Sequence, residues 1–396
     1  MVKRQRRTAD VASRVLLDTP LLLRMITEFQ IGLFRDLRPR YSEWRQLCQR
    51  HTNFTYAVEP VPARYRVFFD QKLPLNAIHV SALSDACFVL HVAIYEGALH
   101  VVRRFAKCFP ATVTGAALDC ASHYGHLEIL QFLHTSYQLT PSHLALDLAA
   151  ANGHFAVVEY LTEFTDCPAT VHAMDMAATN RHTAIVIYLD RMRSEGCTTR
   201  AMDGAARMGY VDIVGYLHRH RLEGCTKHAM DDAAIRGHLG VVEYLHHHRS
   251  EGCSVDAMDG AASNGHLEVV QFLHDNRHEG CTADAMDGAS AGGYLDVVEF
   301  LQENRDEGCT TDAMDEAAIH GHVDVMRFLH TRRTEGCSKR AWTGALANGH
   351  MCVIDFLWRW YPDKSTIEDA VRLGLLDPSH LGGTRTNLFI SYNAST

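Results

Sequence analysis

The sequence predicts an all-α chain: a curved solenoid of about ten helix-turn-helix repeats behind a small helical N-terminal segment. Three observations carry this. The triplet Ala-Met-Asp recurs at a fixed step of 28 residues, as Ala201-Met202-Asp203, Ala229-Met230-Asp231, Ala257-Met258-Asp259, Ala285-Met286-Asp287 and Ala313-Met314-Asp315. A glycine, usually followed by histidine, comes six residues after each Asp, as in Gly237-His238, Gly265-His266 and Gly321-His322. Within each copy the apolar residues keep helical spacing. Such a chain grows in one dimension and presents an extended surface instead of a single catalytic cleft.

Residues 1–15 contain Lys3, Arg4, Arg6 and Arg7 and read as a basic, disordered N-terminus, with a nuclear-import signal as the alternative. Residues 16–80 lie outside the period. There Thr19 caps a helix with Pro20 at its first position, ahead of the apolar stretch Leu21 to Ile26. With Trp44-Arg45-Gln46-Leu47 downstream, the segment from Leu17 resembles an F-box, although the opening Leu-Pro and central Leu-Val-Cys of that family are missing. The other reading is a helical cap over the first repeat, which solenoids need for solubility.

The array runs over residues 81–378. Weaker copies of the triplet precede the regular run at Ala117-Leu118-Asp119, Ala145-Leu146-Asp147 and Ala173-Met174-Asp175, and Leu90-His91 fits the same frame. Ala341-Trp342-Thr343 follows it, and Ala370 to Gly374 form a shortened terminal copy. One copy has Arg181-His182 in place of Gly-His. Ser254 and its equivalents Thr198, Thr226, Thr282, Thr310 and Ser338 are N-cap types. Behind Ser254, Ala257, Met258, Ala261 and Ala262 form one apolar stripe, and Gly265 stands where a left-handed residue ends the helix. A second helix follows, with Leu267, Val269, Val270, Phe272 and Leu273 as its buried side, and the polar segment His274 to Cys281 leads to the next copy. A thin Ala-rich helix stacked beside a bulky one should curve the array. Residues 379–396 read as a mobile tail.

The string from Ala257 to Leu273 resembles the ankyrin repeat, through its Ala-Ala, Gly-His and Val-Val elements at matching spacing. Two features depart from that family. Asp stands where the ankyrin first helix has His, and the period is 28 residues where ankyrin repeats have about 33. The shortfall falls in the connecting segment, so the resemblance implies finger hairpins shortened to plain loops. Leucine-rich repeats share this period but need a Leu-x-x-Leu-x-Leu strand in each copy, and none occurs.

The net charge of −9 and 21% charged residues are ordinary for a globular protein. No apolar run reaches the ~18 residues of a membrane span, and no secretory segment opens the chain. Seven of twelve cysteines (Cys167, Cys197, Cys225, Cys253, Cys281, Cys309 and Cys337) are read as one loop position in successive copies. Stacked layers about 8–10 Å apart cannot bridge them. They read as small buried thiols of a reducing compartment, cytoplasmic with the nucleus as alternative. The 26 histidines fall mostly into two ladders, at the Gly-His turns and at second-helix ends. His246-His247-His248 point about 100° apart on a helix and do not converge on an ion. The Asp ladder recurs in every layer, so it reads as a cap or inter-repeat hydrogen bond instead of a catalytic pair. No nucleotide-, metal- or nucleophile-bearing motif is present. The reading is therefore non-enzymatic, with no catalytic residue, cofactor or metal.

Recurring positions hold the stack, which leaves varying positions to carry specificity. In ankyrin repeats the first helix and adjoining loop line a concave binding face. By that resemblance the variable residues here form a basic patch (Arg200, Arg207, Lys227, Arg236) beside an acidic stripe (Asp256, Asp284, Asp312, Glu316). The expected function is a monomeric scaffold that binds a protein partner, without nucleic acid or membrane. The alternative is a ubiquitin-ligase substrate receptor whose N-terminal segment docks ligase core subunits.

Overall fold

Each copy of the period folds into two short helices because a left-handed residue, glycine in all copies but one, interrupts it where the first apolar stripe ends. The computed structural model describes residues 33–52, 61–69, 74–363, 365 and 372. The readings made for residues 1–32, for the tail and for the terminal copy (apart from Arg372) lie outside these. Among the described residues there are 22 α-helices and no strand, as expected for an ankyrin-like array whose fingers are reduced to loops. The chain divides into two compact units, one ending at Cys197 and one beginning at Thr198.

In the first unit, α1 (Arg38–Thr52) and the single turn α2 (Arg66–Phe69) precede four helix pairs. These are α3 (Phe88–Tyr95) with α4 (Leu99–Cys108), α5 (Gly115–His123) with α6 (Leu127–Tyr137), α7 (His143–Ala151) with α8 (Phe155–Phe164), and α9 (Val171–Thr179) with α10 (Thr183–Met192). Helix α1 turns Trp44 and Leu47 inward. The Trp44 indole donates to the Leu83 carbonyl at 2.7 Å, Tyr41 stacks on Phe109, and Arg40 pairs with Glu96. Trp44, one of the residues that suggested an F-box, is thus engaged with the chain's own first repeat, and Leu47 is buried.

A short turn, Leu75–Ile78, is tied down beside it. The fully buried His91 donates from Nδ1 to the Ile78 carbonyl at 2.6 Å, and Tyr124 donates to the Ala77 carbonyl at 3.1 Å. The His79 ring packs edge-on against His123. Burial pushes the pKa of His79, His91 and His123 down, which favours the neutral ring of each in the folded state. A lowered histidine pKa costs stability as pH falls through the unfolded value of about 6.5. Urea unfolding of the full chain should therefore show a first-unit transition that is flat above neutrality and weakens below it. His123→Phe should flatten that slope, and an unchanged profile would contradict the assignment.

The second unit holds six pairs: α11 (Thr199–Arg207) with α12 (Val211–His220), α13 (Lys227–Ile235) with α14 (Leu239–His248), α15 (Asp256–Ser263) with α16 (Leu267–Asn276), α17 (Ala283–Gly292) with α18 (Leu295–Asn304), α19 (Thr311–His320) with α20 (Val323–Arg332), and α21 (Lys339–Asn348) with α22 (Met351–Trp360). First helices stack on first helices more closely than second on second. The small side chains explain this: Ala229, Met230, Ala233 and Ala234 are buried, as are their equivalents in the next copies. The second helices bury Val269, Val270 and Leu273 as expected, while Leu267 and Phe272 are only half-buried.

The turns follow the reading closely. Gly237 and Gly265 are left-handed at φ 74° and 75°. A methyl group on Gly237 would lie 2.6 Å from the His266 ring, so the glycine also makes room for the next copy's imidazole. In the first unit the same imidazoles reach back one repeat, with His154 donating from Nε2 to the His123 carbonyl at 3.0 Å. Arg181 takes the left-handed conformation without being glycine, at φ 65°.

The linkers hold more structure than their polarity suggested. Arg193, Arg221, Arg249, Arg277, Arg305 and Arg333 each form a two-pronged ion pair with the Glu two residues later. The Arg249 guanidinium holds Glu251 below the usual carboxylate range. The cysteine ladder is free of disulfides, and burial pushes Cys225 and Cys253 up to about 11 and about 12. One member needs correcting. Cys167 precedes Cys197 by 30 residues, not 28, so Ala169 holds the ladder position in that copy. Cys167 instead packs its thiol against the Ser142 carbonyl.

Candidate functional site

The first turns of α13, α15, α17, α19 and α21 are each built by residues of two repeats. The cap hydroxyl accepts the backbone N–H two residues on, as Ser254 does from Asp256 at 3.2 Å and Thr282 from Asp284 at 3.1 Å. Assignment places the start of α15 at Asp256, yet Ser254 makes the same cap bond as its equivalents. The cap hydroxyl must then donate its own proton elsewhere, and the Asp ladder receives it. Asp231 accepts the Ser254 N–H at 2.7 Å and its hydroxyl at 3.0 Å. Asp203 does the same for Thr226, Asp259 for Thr282, Asp287 for Thr310 and Asp315 for Ser338. In the first unit Asp119 serves Ser142 and Asp147 serves Thr170.

The ladder is thus an inter-repeat capping relay. Burial pushes the Asp231 and Asp259 carboxyls up, opposed by the bonds from Ser254 and Thr282. A carboxylate also lies favourably at the N-terminal end of the next helix.

The relay fixes where the variable side chains stand. Arg200, Asp256, Asp284 and Asp312 stand two residues after the caps of α11, α15, α17 and α19, and their backbone is held by those caps while their side chains are exposed. Lys227 is exposed one position earlier on α13. Arg207 and Arg236 lie at the far ends of α11 and α13, also exposed. Seven residues of helix separate Arg200 from Arg207, a rise of roughly 10 Å. The basic patch is therefore two separated pairs, and Asp232, four residues before Arg236, carries a negative charge between them.

The acidic stripe is partly neutralised within the chain. Arg340 of the following repeat bridges Asp312 at 2.7 Å and Glu316, which also faces His320 at 3.8 Å. Only Asp256 and Asp284 of the stripe make no ion pair. The Arg340 pairings join residues 28 and 24 apart, a contact that no single copy of the period displays.

Among the described residues no three His, Cys, Asp or Glu groups are placed to hold a metal ion. His246 rests edge-on against Phe272, while His248 stacks on Tyr244 and bonds to its carbonyl at 2.8 Å, so the histidine cluster diverges. Among those residues, no helix is long and apolar enough to cross a membrane. Residues 230–274 match the family model described as ankyrin repeats (many copies). No curated protein matches the chain.

Proposed function

Because this chain is an ankyrin-repeat protein, whose repeats generally serve as protein-interaction modules, we propose that it is a non-catalytic scaffold that binds a protein partner across the first-helix face of the second unit. One observation carries the reading. Recurring residues are buried or committed to the relay, whereas the residues that vary from copy to copy stand exposed in register on that face. With Asp312 and Glu316 already paired, Asp256 and Asp284 are the acidic groups available to a partner, and a basic segment is the complement they favour.

The test is charge reversal. In the full chain, Asp256→Lys with Asp284→Lys should reduce partner capture by at least about ten-fold, while helicity and thermal unfolding stay near wild type, because both side chains are exposed. Undiminished capture would overturn this assignment. The ligase-receptor reading finds less support, since Trp44 donates to Leu83 of the first repeat and Leu47 is buried, an arrangement that suits a helical cap. Recovery of ligase core subunits with the full chain would reverse that judgement. Free, deeply set thiols fit a reducing compartment, the cytoplasm or the nucleus.

A further inference from the structure

The arginines of the linkers do more than pair with glutamate: Arg249, Arg277, Arg305 and Arg333 each occupy a socket made by the preceding linker. The Arg277 guanidinium lies over left-handed Gly252, where a methyl group would come within 2.7 Å of Nη2, and beside the Cys253 thiol. Arg305 lies over Gly280 at the same spacing, and Arg249 and Arg333 over Gly224 and Gly308. The position continues at the 28-residue step to Tyr361, whose ring covers Gly336 and whose hydroxyl bonds His330 Nδ1 at 2.8 Å. Backwards it reaches Arg193, which donates from Nη2 to the Cys167 carbonyl at 3.2 Å.

One step earlier the residue is Thr165. Its hydroxyl donates back to the Leu161 carbonyl at 2.6 Å and accepts the Cys167 N–H at 3.2 Å, so it does not reach over the preceding linker. What remains is an open groove of about 540 Å³, walled by Leu139, Thr140 and Pro141 on one side and by Glu163, Phe164 and Asp166 on the other. Thr140 and Pro141 are the register equivalents of the glycine and cysteine that floor the filled sockets. Phe164 is 64% exposed with one face stacked on Tyr160, Glu163 accepts the Tyr188 hydroxyl at 3.2 Å, and among the described residues neither Glu163 nor Asp166 pairs with a cation.

We propose that this groove is a binding site for an arginine side chain of a protein partner. The guanidinium stacks on Phe164 and meets the carboxylates of Glu163 and Asp166, while its methylene stem lies along Leu139 and Pro141. Arginine is favoured over lysine because its planar fork can both stack and pair, and the chain's own filled sockets show the pairing. This site belongs to the first unit and stands independently of the face proposed above.

The probe is a Gly-Ser hexapeptide carrying one central arginine, compared with its lysine and uncharged citrulline counterparts. Methyl-resolved NMR of the full chain would follow the Leu139 and Thr165 methyls up to about 10 mM peptide, the range suited to one anchored side chain. Saturable shifts are expected with arginine, at least about five-fold weaker ones with lysine, and none with citrulline. Thr165→Arg should fill the socket from within and weaken the peptide at least about ten-fold, measured at Leu139. Glu163→Gln with Asp166→Asn, both exposed, gives a second route to the same loss without touching the floor. Equal response to citrulline, no response to arginine, or undiminished binding in both variants would overturn the proposal.

Discussion

Asp231→Ala is expected to destabilise the second unit by about 3 kcal/mol, because it strips two hydrogen bonds from the cap of the next repeat. Asp231 is itself buried and accepts both the N–H and the hydroxyl of Ser254. Alanine leaves the Ser254 N–H without its acceptor and loosens the hydroxyl that orders the Asp256 N–H. Asp231→Asn should cost about half as much, since its carbonyl oxygen still takes the N–H while its amide cannot accept a proton. Urea unfolding of the full chain followed by circular dichroism reads both values. A loss below about 0.5 kcal/mol for alanine would show the relay to be incidental.

Gly260→Leu is expected to cost about 3 kcal/mol, against the usual rule that removing a mid-helix glycine helps by up to about 1 kcal/mol. Gly260 lies in α15 against Ile235 at the end of α13. Even a single methyl there would overlap Ile235 Cγ1 and press on Cδ1 at 3.1 Å. Gly344 against Ile319 repeats the arrangement. Gly240 provides the control, because nothing lies near the position a methyl would take. Gly240→Ala should therefore be neutral or stabilising by a few tenths of a kcal/mol. Thermal unfolding of the two variants side by side decides the matter. Similar effects at Gly260 and Gly240 would mean that the first helices do not approach as closely as described.

The repeat architecture could be read because its signals are local and repeated. Ala-Ala stripes, cap hydroxyls and left-handed glycines each act within a few residues, and the 28-residue step confirms them copy after copy. The Asp ladder could be assigned to the scaffold on repetition alone, although its partner, the cap 23 residues ahead, emerged only from the packing. The linkers were harder. Arg-x-Glu resembles any solvated charge pair, and only its recurrence from Arg193 to Arg333 marks it as built structure. The proposed site suffered most from long-range contacts. The pairing of Arg340 with Asp312 and Glu316 joins two repeats and removes half of the acidic stripe from consideration. Trp44 suggested a docking motif when read alone and proved to be packed on the first repeat, a burial that depends on residues such as Leu83 far along the chain.

The central claim is that the ladder couples neighbouring repeats, leaving recognition to the residues between its rungs. A double-mutant cycle on Asp231→Ala and Ser254→Ala, read by urea unfolding, tests it most directly. The relay predicts a coupling of about 1.5 kcal/mol or more between the two sites, since either change alone already breaks the bond they share. Additive effects within about 0.5 kcal/mol would contradict it.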